Sequence, residues 1–474
     1  MITPAGLIRR FLYGPAADPA CAPEPEKLNC NIRTNILQGI FNAATLDMVN
    51  PFTGIFAIKL GATKLQVALL SSLPAAISLL AMIPGARFID RRSRKKRLTF
   101  LFMLAHRIFF LGIACIPFFQ PTWRAALFVA IIGVMNLPGS IANIAWQSFI
   151  STIIPAERRA EAFAHRNRAM NFVGTMLALG AGFVLDHLAF PVGYQVVFAI
   201  AFLLAMVELQ IFNRVEEPRC DGPRDPEAGT AAERSPQSES GMAPDQGAAP
   251  EGSIGAAKPP PDAGGKSTRA PGVSQKLAAH FSEIMAQPRF LRYTAASVLF
   301  YFAWPLAWPL FSWYQVKVLA ANNFWVSLLS LMNTGGSLIG YGFWVRVLNR
   351  HGNLKTLFYS TLPIFIVPLV YAFSRSLYVV VAFNLITGAI FSGVNLALFN
   401  ALLEVTPETN KTSYIAYYNT CITISQIIAP LVGVGLLNIM SFQWAFIVCA
   451  IFRILGSFCF LVVNRMEVRQ RRAG

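Results

Sequence analysis

The chain has 474 residues, 55% of them hydrophobic and only 13% charged, with a mean hydropathy of +0.50 and a formal net charge of +17. A soluble globular protein carries about 25% charged residues, and here 17 of the 63 charged side chains fall within residues 215–276. The rest of the chain is too poor in charge to coat a soluble body, which argues against a soluble enzyme or a nucleic-acid reader and for a polytopic membrane protein.

Residues 1–34 contain Arg9, Arg10 and several prolines but no apolar h-region, so no cleavable signal peptide is expected. Twelve apolar runs follow, at about 36–58, 67–86, 98–119, 125–149, 168–188, 193–213, 293–318, 325–347, 356–374, 377–403, 413–439 and 443–464. Runs of about 20 residues cross a hydrocarbon core of about 30 Å as helices, the default where the backbone must satisfy itself. Short alternating segments of the β-barrel kind are absent from the sequence. The expected plan is all-α: a cytoplasmic tail (1–34), a six-helix bundle (35–214), a linker (215–273), an amphipathic interfacial helix (274–292), a second six-helix bundle (293–464) and a basic tail (465–474).

Lysine and arginine set the orientation. The two tails and the loops on their side carry 33 of the 40, against five in the opposite loops (Lys59, Lys64, Arg124, Lys317 and Arg375). Both termini are therefore expected in the cytoplasm. The segment 215–273 has no Phe, Trp, Tyr or Leu and is expected to be disordered. Within it, Gly264-Gly265-Lys266-Ser267-Thr268 mimics the end of a phosphate-binding loop, but Pro260 stands at the upstream glycine position and no strand precedes it. Leu277, Phe281, Ile284 and Met285 then fall at helical spacing, as in a helix lying at the interface. The seven cysteines form no CxxC pair, so neither a disulfide framework nor a metal site is expected, and no cofactor.

The halves match at an offset of 252. Pro155 meets Pro407, Asn143 meets Asn395, Arg159 meets Lys411 and Asn167 meets Asn419, as expected of a duplicated unit. After the second run comes Ala86-Arg87-Phe88-Ile89-Asp90-Arg91-Arg92-Ser93-Arg94-Lys95-Lys96-Arg97-Leu98. This stretch resembles the signature G-x-L-A-D-R-x-G-R-R-R-x-L of the major facilitator superfamily, with Ala86 and Ser93 in place of the glycines. The resemblance covers nearly the whole chain apart from tail and linker. It implies a twelve-helix fold of two pseudo-symmetric bundles and a conformational latch at Asp90, Arg91, Arg94 and Lys95. An aspartate near the membrane face can sit on the positive end of a helix, while the basic groups bind carbonyls or carboxylates. The family's antiporter pattern G-P-x-x-G-G is missing from the fifth run, where Gly174, Gly180 and Gly182 stand.

Ionisable groups inside spans are costly and mark function. Asp47, midway along the first run beside Asn42 and Asn50, is the leading candidate to hold a coupling proton or a cationic part of a substrate; the alternative is a permanent pairing with Arg107 or another base. The resemblance implies that the first, fourth, seventh and tenth helices line the cavity. Candidate substrate contacts are therefore Asn42, Asn143, Trp146, Trp304, Trp308 and Asn395, with Arg107 in the third run. His106, Glu208 and Arg453 are expected to pair within a half or to snorkel.

The expected function is secondary transport of a small organic solute by alternating access, coupled to protons, by a monomer in a bacterial cytoplasmic membrane. No catalysis and no nucleic-acid partner are expected. The rival expectations are a non-transporting sensor or assembly partner of the same fold and, more remotely, a membrane-embedded transferase, which would want clustered rather than scattered His, Asp or Glu.

Overall fold

The computed structural model describes residues 23–90, 95–154, 156–215, 285–407 and 411–473. Outside them lie most of the amino-terminal tail, the linker and most of the interfacial helix at 274–292. Arg91 and Arg94 of the loop motif also fall outside. For Asp90 and Lys95 only the backbone is described, at a helix end and the next helix start.

The described residues contain no strand. In chain order the helices are α1 (Pro23–Asp47), α2 (Thr53–Lys59), α3 (Lys64–Asp90), α4 (Lys95–Cys115), α5 (Pro121–Ile153), α6 (Ala156–His187) and α7 (Val192–Asn213). The second half has α8 (Pro288–Ala303), α9 (Trp308–Lys317), α10 (Asn323–His351), α11 (Asn353–Thr361), α12 (Ile366–Phe373), α13 (Leu377–Val405), α14 (Lys411–Ile439) and α15 (Phe442–Ala473). Helix α1 starts well before the expected span, inside the tail read at 1–34, and α15 runs on through the basic segment at 465–474. The α1 extension has no glycine and its prolines, Pro23 and Pro25, sit in the first turn where they are tolerated, and residues 465–473 contain neither glycine nor proline.

Among the described residues ten helical segments are long and apolar enough to cross a membrane, two of them the interrupted pairs α8–α9 and α11–α12. The other two expected spans, 36–58 and 325–347, are helical but fall short of that measure, so length and composition alone do not reach twelve. The cause is polarity. Helix α1 carries Asn35, Gln38, Asn42 and Asp47, and α10 carries Asn333-Thr334-Gly335-Gly336-Ser337. Large apolar side chains such as Leu80, Ile339 and Phe343 stand exposed on the exterior, a surface that suits lipid.

Prolines set the interruptions. A 3₁₀ turn at Asn50–Phe52, containing Pro51, separates α1 from α2, and another at Pro305–Ala307 separates α8 from α9. The two breaks fall at nearly matching places in the repeat. A third, Leu362–Phe365, separates α11 from α12. Helix α10 begins on the Asn322 side chain, which accepts the Trp325 N–H at 3.1 Å, and ends at Gly352 with φ +80°.

Packing repeats too. In the first half α1 lies on α6 and α7, α3 on α5, and α4 on α5 and α7. In the second half α8 lies on α14 and α15, α10 on α13, and α11 on α13 and α15. These are the same pairings in the same order. Across the halves α3 meets α14, and its counterpart α10 meets α6. The α10–α13 backbones approach closely, with Gly336 against the Leu385 carbonyl and Gly388 against that of Asn333. Only a residue without Cβ lets two helix backbones approach so closely.

Candidate functional site

Asn35, Gln38 and Asn42 recur at helical spacing and therefore share one face of α1. That face turns inward. Gln38 and Asn42 line a cavity of about 680 Å³ within the first half, together with groups from α3 to α7. Its ionisable walls, among the described residues, are His106 and Arg107 of α4, Arg166 of α6 and Glu208 of α7.

These groups form one network. Arg107 Nη2 lies 2.8 Å from Glu208 Oε2 and donates to Asn42 Oδ1 at 2.5 Å. Gln38 donates through Nε2 to Glu208 Oε1 at 2.6 Å, while its Oε1 accepts from Arg166 Nη2 at 3.1 Å. Arg166 also donates through Nε to the Asn35 carbonyl, and its guanidinium carbon sits 4.5 Å from the centre of the Trp146 ring. Gly39 makes this path possible, because a Cβ there would lie 2.6 Å from Arg166 Nε. Relative exposures are 4% for Arg107, 7% for Arg166 and 0% for Glu208. Charges so buried persist only when paired and hydrogen-bonded. Arg107 Nε, Trp146 Nε1 and both side-chain amide atoms of Asn35 are buried without a hydrogen-bond partner among the described residues, and Glu208 Oε2 is met by the ion pair with Arg107 alone.

Of the candidate residues, Asn42, Arg107, Asn143 and Trp146 line this cavity. Arg107 pairs with Glu208, not with Asp47. Asp47 instead points at α6, where its carboxylate fills the space beside Gly174, half-buried and with no hydrogen bond or ion pair among the described residues. Trp304 and Trp308 lie at the α8–α9 break, with Trp304 stacked on Phe391 at 4.8 Å between centroids. Asn395 is exposed on α13.

Sequence reasoning overlooked Gln38 and counted Arg166 among loop cations, since Arg158, Arg159, Arg166 and Arg168 read together as a basic loop. The usable signal was the polar α1 face, which needs partners of its own. A second overlooked group is Asp186 at the far end of α6. Its Oδ1 accepts from the Asn323 N–H at 3.0 Å and the Asn323 amide at 2.9 Å, and its Oδ2 accepts from the Phe324 N–H at 2.7 Å. It thus caps the N-terminus of α10 across the two halves. Thr175–Thr334 and Lys64–Leu437 also bridge the halves.

In the second half Arg453 of α15 is 1% exposed and faces carbonyls. It donates to Trp304 O at 2.9 Å and to Ile364 O at 3.2 Å. Both oxygens are released by helix breaks. The Trp308 N–H turns to Pro305 O in the 3₁₀ turn, and Ile364 would need a donor at Pro368, which has no N–H.

Two bundles with matching helix pairings, bearing ionisable groups deep among apolar helices, define a major-facilitator architecture. The chain matches the model of the MFS_1 like family over residues 40–448, and it belongs to that family. It is a membrane transporter protein by family and fold. Its fold is similar to a bacterial homologue of the human lysosomal transporter Spinster, in an inward-facing and occupied conformation, with a TM-score of 0.62 at 12% identity over 94% of this chain and 98% of that one. It is also similar to the nucleoside transporter NupG, with a TM-score of 0.60 at 12% identity over 94% of this chain and 99% of that one. No curated protein sequence gives a match.

Proposed function

We propose that the protein is a proton-coupled secondary transporter that moves a small organic solute by alternating access and carries out no covalent step on it. The observation that carries this reading is the charged network around the cavity of about 680 Å³. Ionisable groups kept among membrane helices are expensive and serve a pathway or a coupling step. The fold neighbours are transporters by name, which supports the same reading.

The excess of 33 basic residues over five supports cytoplasmic termini, and this reading sets the protein in the inner membrane of a bacterium. In that orientation the Asp186 bonds close the outer side. The Asp90, Arg91, Arg94 and Lys95 loop is the opposing latch on the cytoplasmic side. Asp47, without a bonding partner among the described residues, is the carboxylate freest to exchange the coupling proton.

Reconstituted full-length protein tests this with a panel of labelled solutes and an imposed pH gradient. Accumulation that a protonophore abolishes is expected. Asp47→Asn should still exchange solute but lose its response to the gradient. An equally active, equally pH-dependent variant would remove Asp47 from coupling, and a bound solute that never crosses would leave a sensor.

A further inference from the structure

The cavity is electrically unbalanced. Two guanidiniums, Arg107 and Arg166, face one carboxylate, Glu208, and the remaining ionisable wall, His106, supplies no negative charge. All three charged groups are more than nine-tenths buried. Gln38 relays between Arg166 and Glu208, and the Trp146 face offsets part of the second positive charge, but neither supplies a counter-charge.

The hydrogen bonds tell the same story independently. Among the described residues, the cavity wall leaves two N–H donors without a hydrogen bond, Arg107 Nε and Trp146 Nε1, and its one such acceptor, Glu208 Oε2, is already met by the Arg107 guanidinium at 2.8 Å. Buried donors are rarely left unpaired. What the site lacks is therefore acceptors and negative charge together. A cation would deepen the imbalance and a neutral solute would leave it.

We infer that the solute is an organic anion. An oxyanion head, a carboxylate in the simplest case, balances the second guanidinium and accepts from the two idle donors. Its body lies on the apolar wall that Phe110, Ile132 and Met135 contribute. This inference rests on the transporter reading and gives it a substrate class.

The test uses full-length protein in lipid nanodiscs at fixed ionic strength. A set of acids (benzoate, phenylacetate, hexanoate, indole-3-acetate) is titrated against the matching primary amides, with thermal shift and calorimetry as readouts. At least one acid should bind about tenfold or more tightly than its amide, the scale of one charge-assisted hydrogen bond. Trp146→Phe keeps the ring and removes one donor, so it should weaken the acid by about tenfold and leave the amide unchanged. Arg107→Lys should do likewise, and Trp146→Phe carries the test if that variant does not fold. Acids that never exceed their amides would overturn the inference, as would an acid preference that survives Trp146→Phe untouched. Acids that bind but do not cross proteoliposomes would sink the transporter reading and leave this one standing. Transport of amides without acid preference would do the reverse.

Discussion

Asp186 and Asn323 join the two halves. One carboxylate oxygen accepts both the backbone and the amide N–H of Asn323, the other accepts the Phe324 N–H, and the Tyr194 hydroxyl donates to Asn323 Oδ1 at 2.6 Å. Charge-assisted bonds to a helix N-terminus are stronger than neutral ones. The geometry is the one the loop motif led us to expect of Asp90, found at the opposite end of the bundle.

Asp186→Ala should therefore loosen the halves at that end. With about 1.5–3 kcal/mol for a bond to a charged group, loss of the clasp should speed maleimide labelling of a cysteine introduced as Thr334→Cys at least tenfold. Asp186→Asn should give an intermediate rate. Equal rates in all three proteins would mean that Asp186 holds nothing.

The Arg107–Glu208 pair makes a different prediction. Arg107→Gln strands a fully buried carboxylate, and breaking such a pair costs about 3–5 kcal/mol. Thermal denaturation of the purified protein should fall sharply. The double variant Arg107→Gln, Glu208→Gln removes both charges and should recover most of the loss. A double variant no better than the single one would show that the charges themselves are not the issue.

Glycine positions give a contrast within one molecule. A Cβ at Gly388 would collide with the Asn333 carbonyl, whereas one at Gly180 or Gly342 meets nothing within 4 Å. Gly388→Ala should destabilise by about 1–3 kcal/mol or more, the cost of overpacking. Gly180→Ala should be neutral or stabilising by up to about 1 kcal/mol, since alanine favours helix. Melting temperatures of the variants decide it.

Arg453 can be tested through the proline that creates its task. Arg453→Met leaves the Trp304 and Ile364 carbonyls without their donor, at about 1–3 kcal/mol each. Pro368→Ala restores an N–H that can serve Ile364 from within the helix. In that background the Arg453→Met loss should shrink by about half. Strict additivity would mean that the guanidinium does not serve the broken helix.

Much of the architecture was legible because period, length and charge bias are local properties. Apolar runs and the repeat needed no knowledge of partners. The site was legible in part. Asn42, Arg107, Asn143 and Trp146 are polar groups set in apolar runs, and each stands out against its neighbours. Arg166 does not, because it lies among other arginines just before the apolar run at 168–188, where a cytoplasmic basic residue is ordinary. Asp47 stood out as an acid within an apolar run, yet its surroundings depend on Gly174, 127 residues away and silent in the sequence. Which carboxylate meets Arg107 is decided by helix rotation, and span prediction does not fix rotation.

The helix pairings repeat between the halves, but the charges do not. At the repeat offset Arg107 and Glu208 correspond to Tyr359 and Phe460, and the second half answers with Arg453 turned onto its own backbone. Duplication thus preserved a scaffold while the chemistry drifted to one copy. If the proposed transport cycle holds, such a molecule has a grip and a lever: cargo seated on one copy would be let go by movement of the other, and damage to the lever would slow turnover without loosening hold.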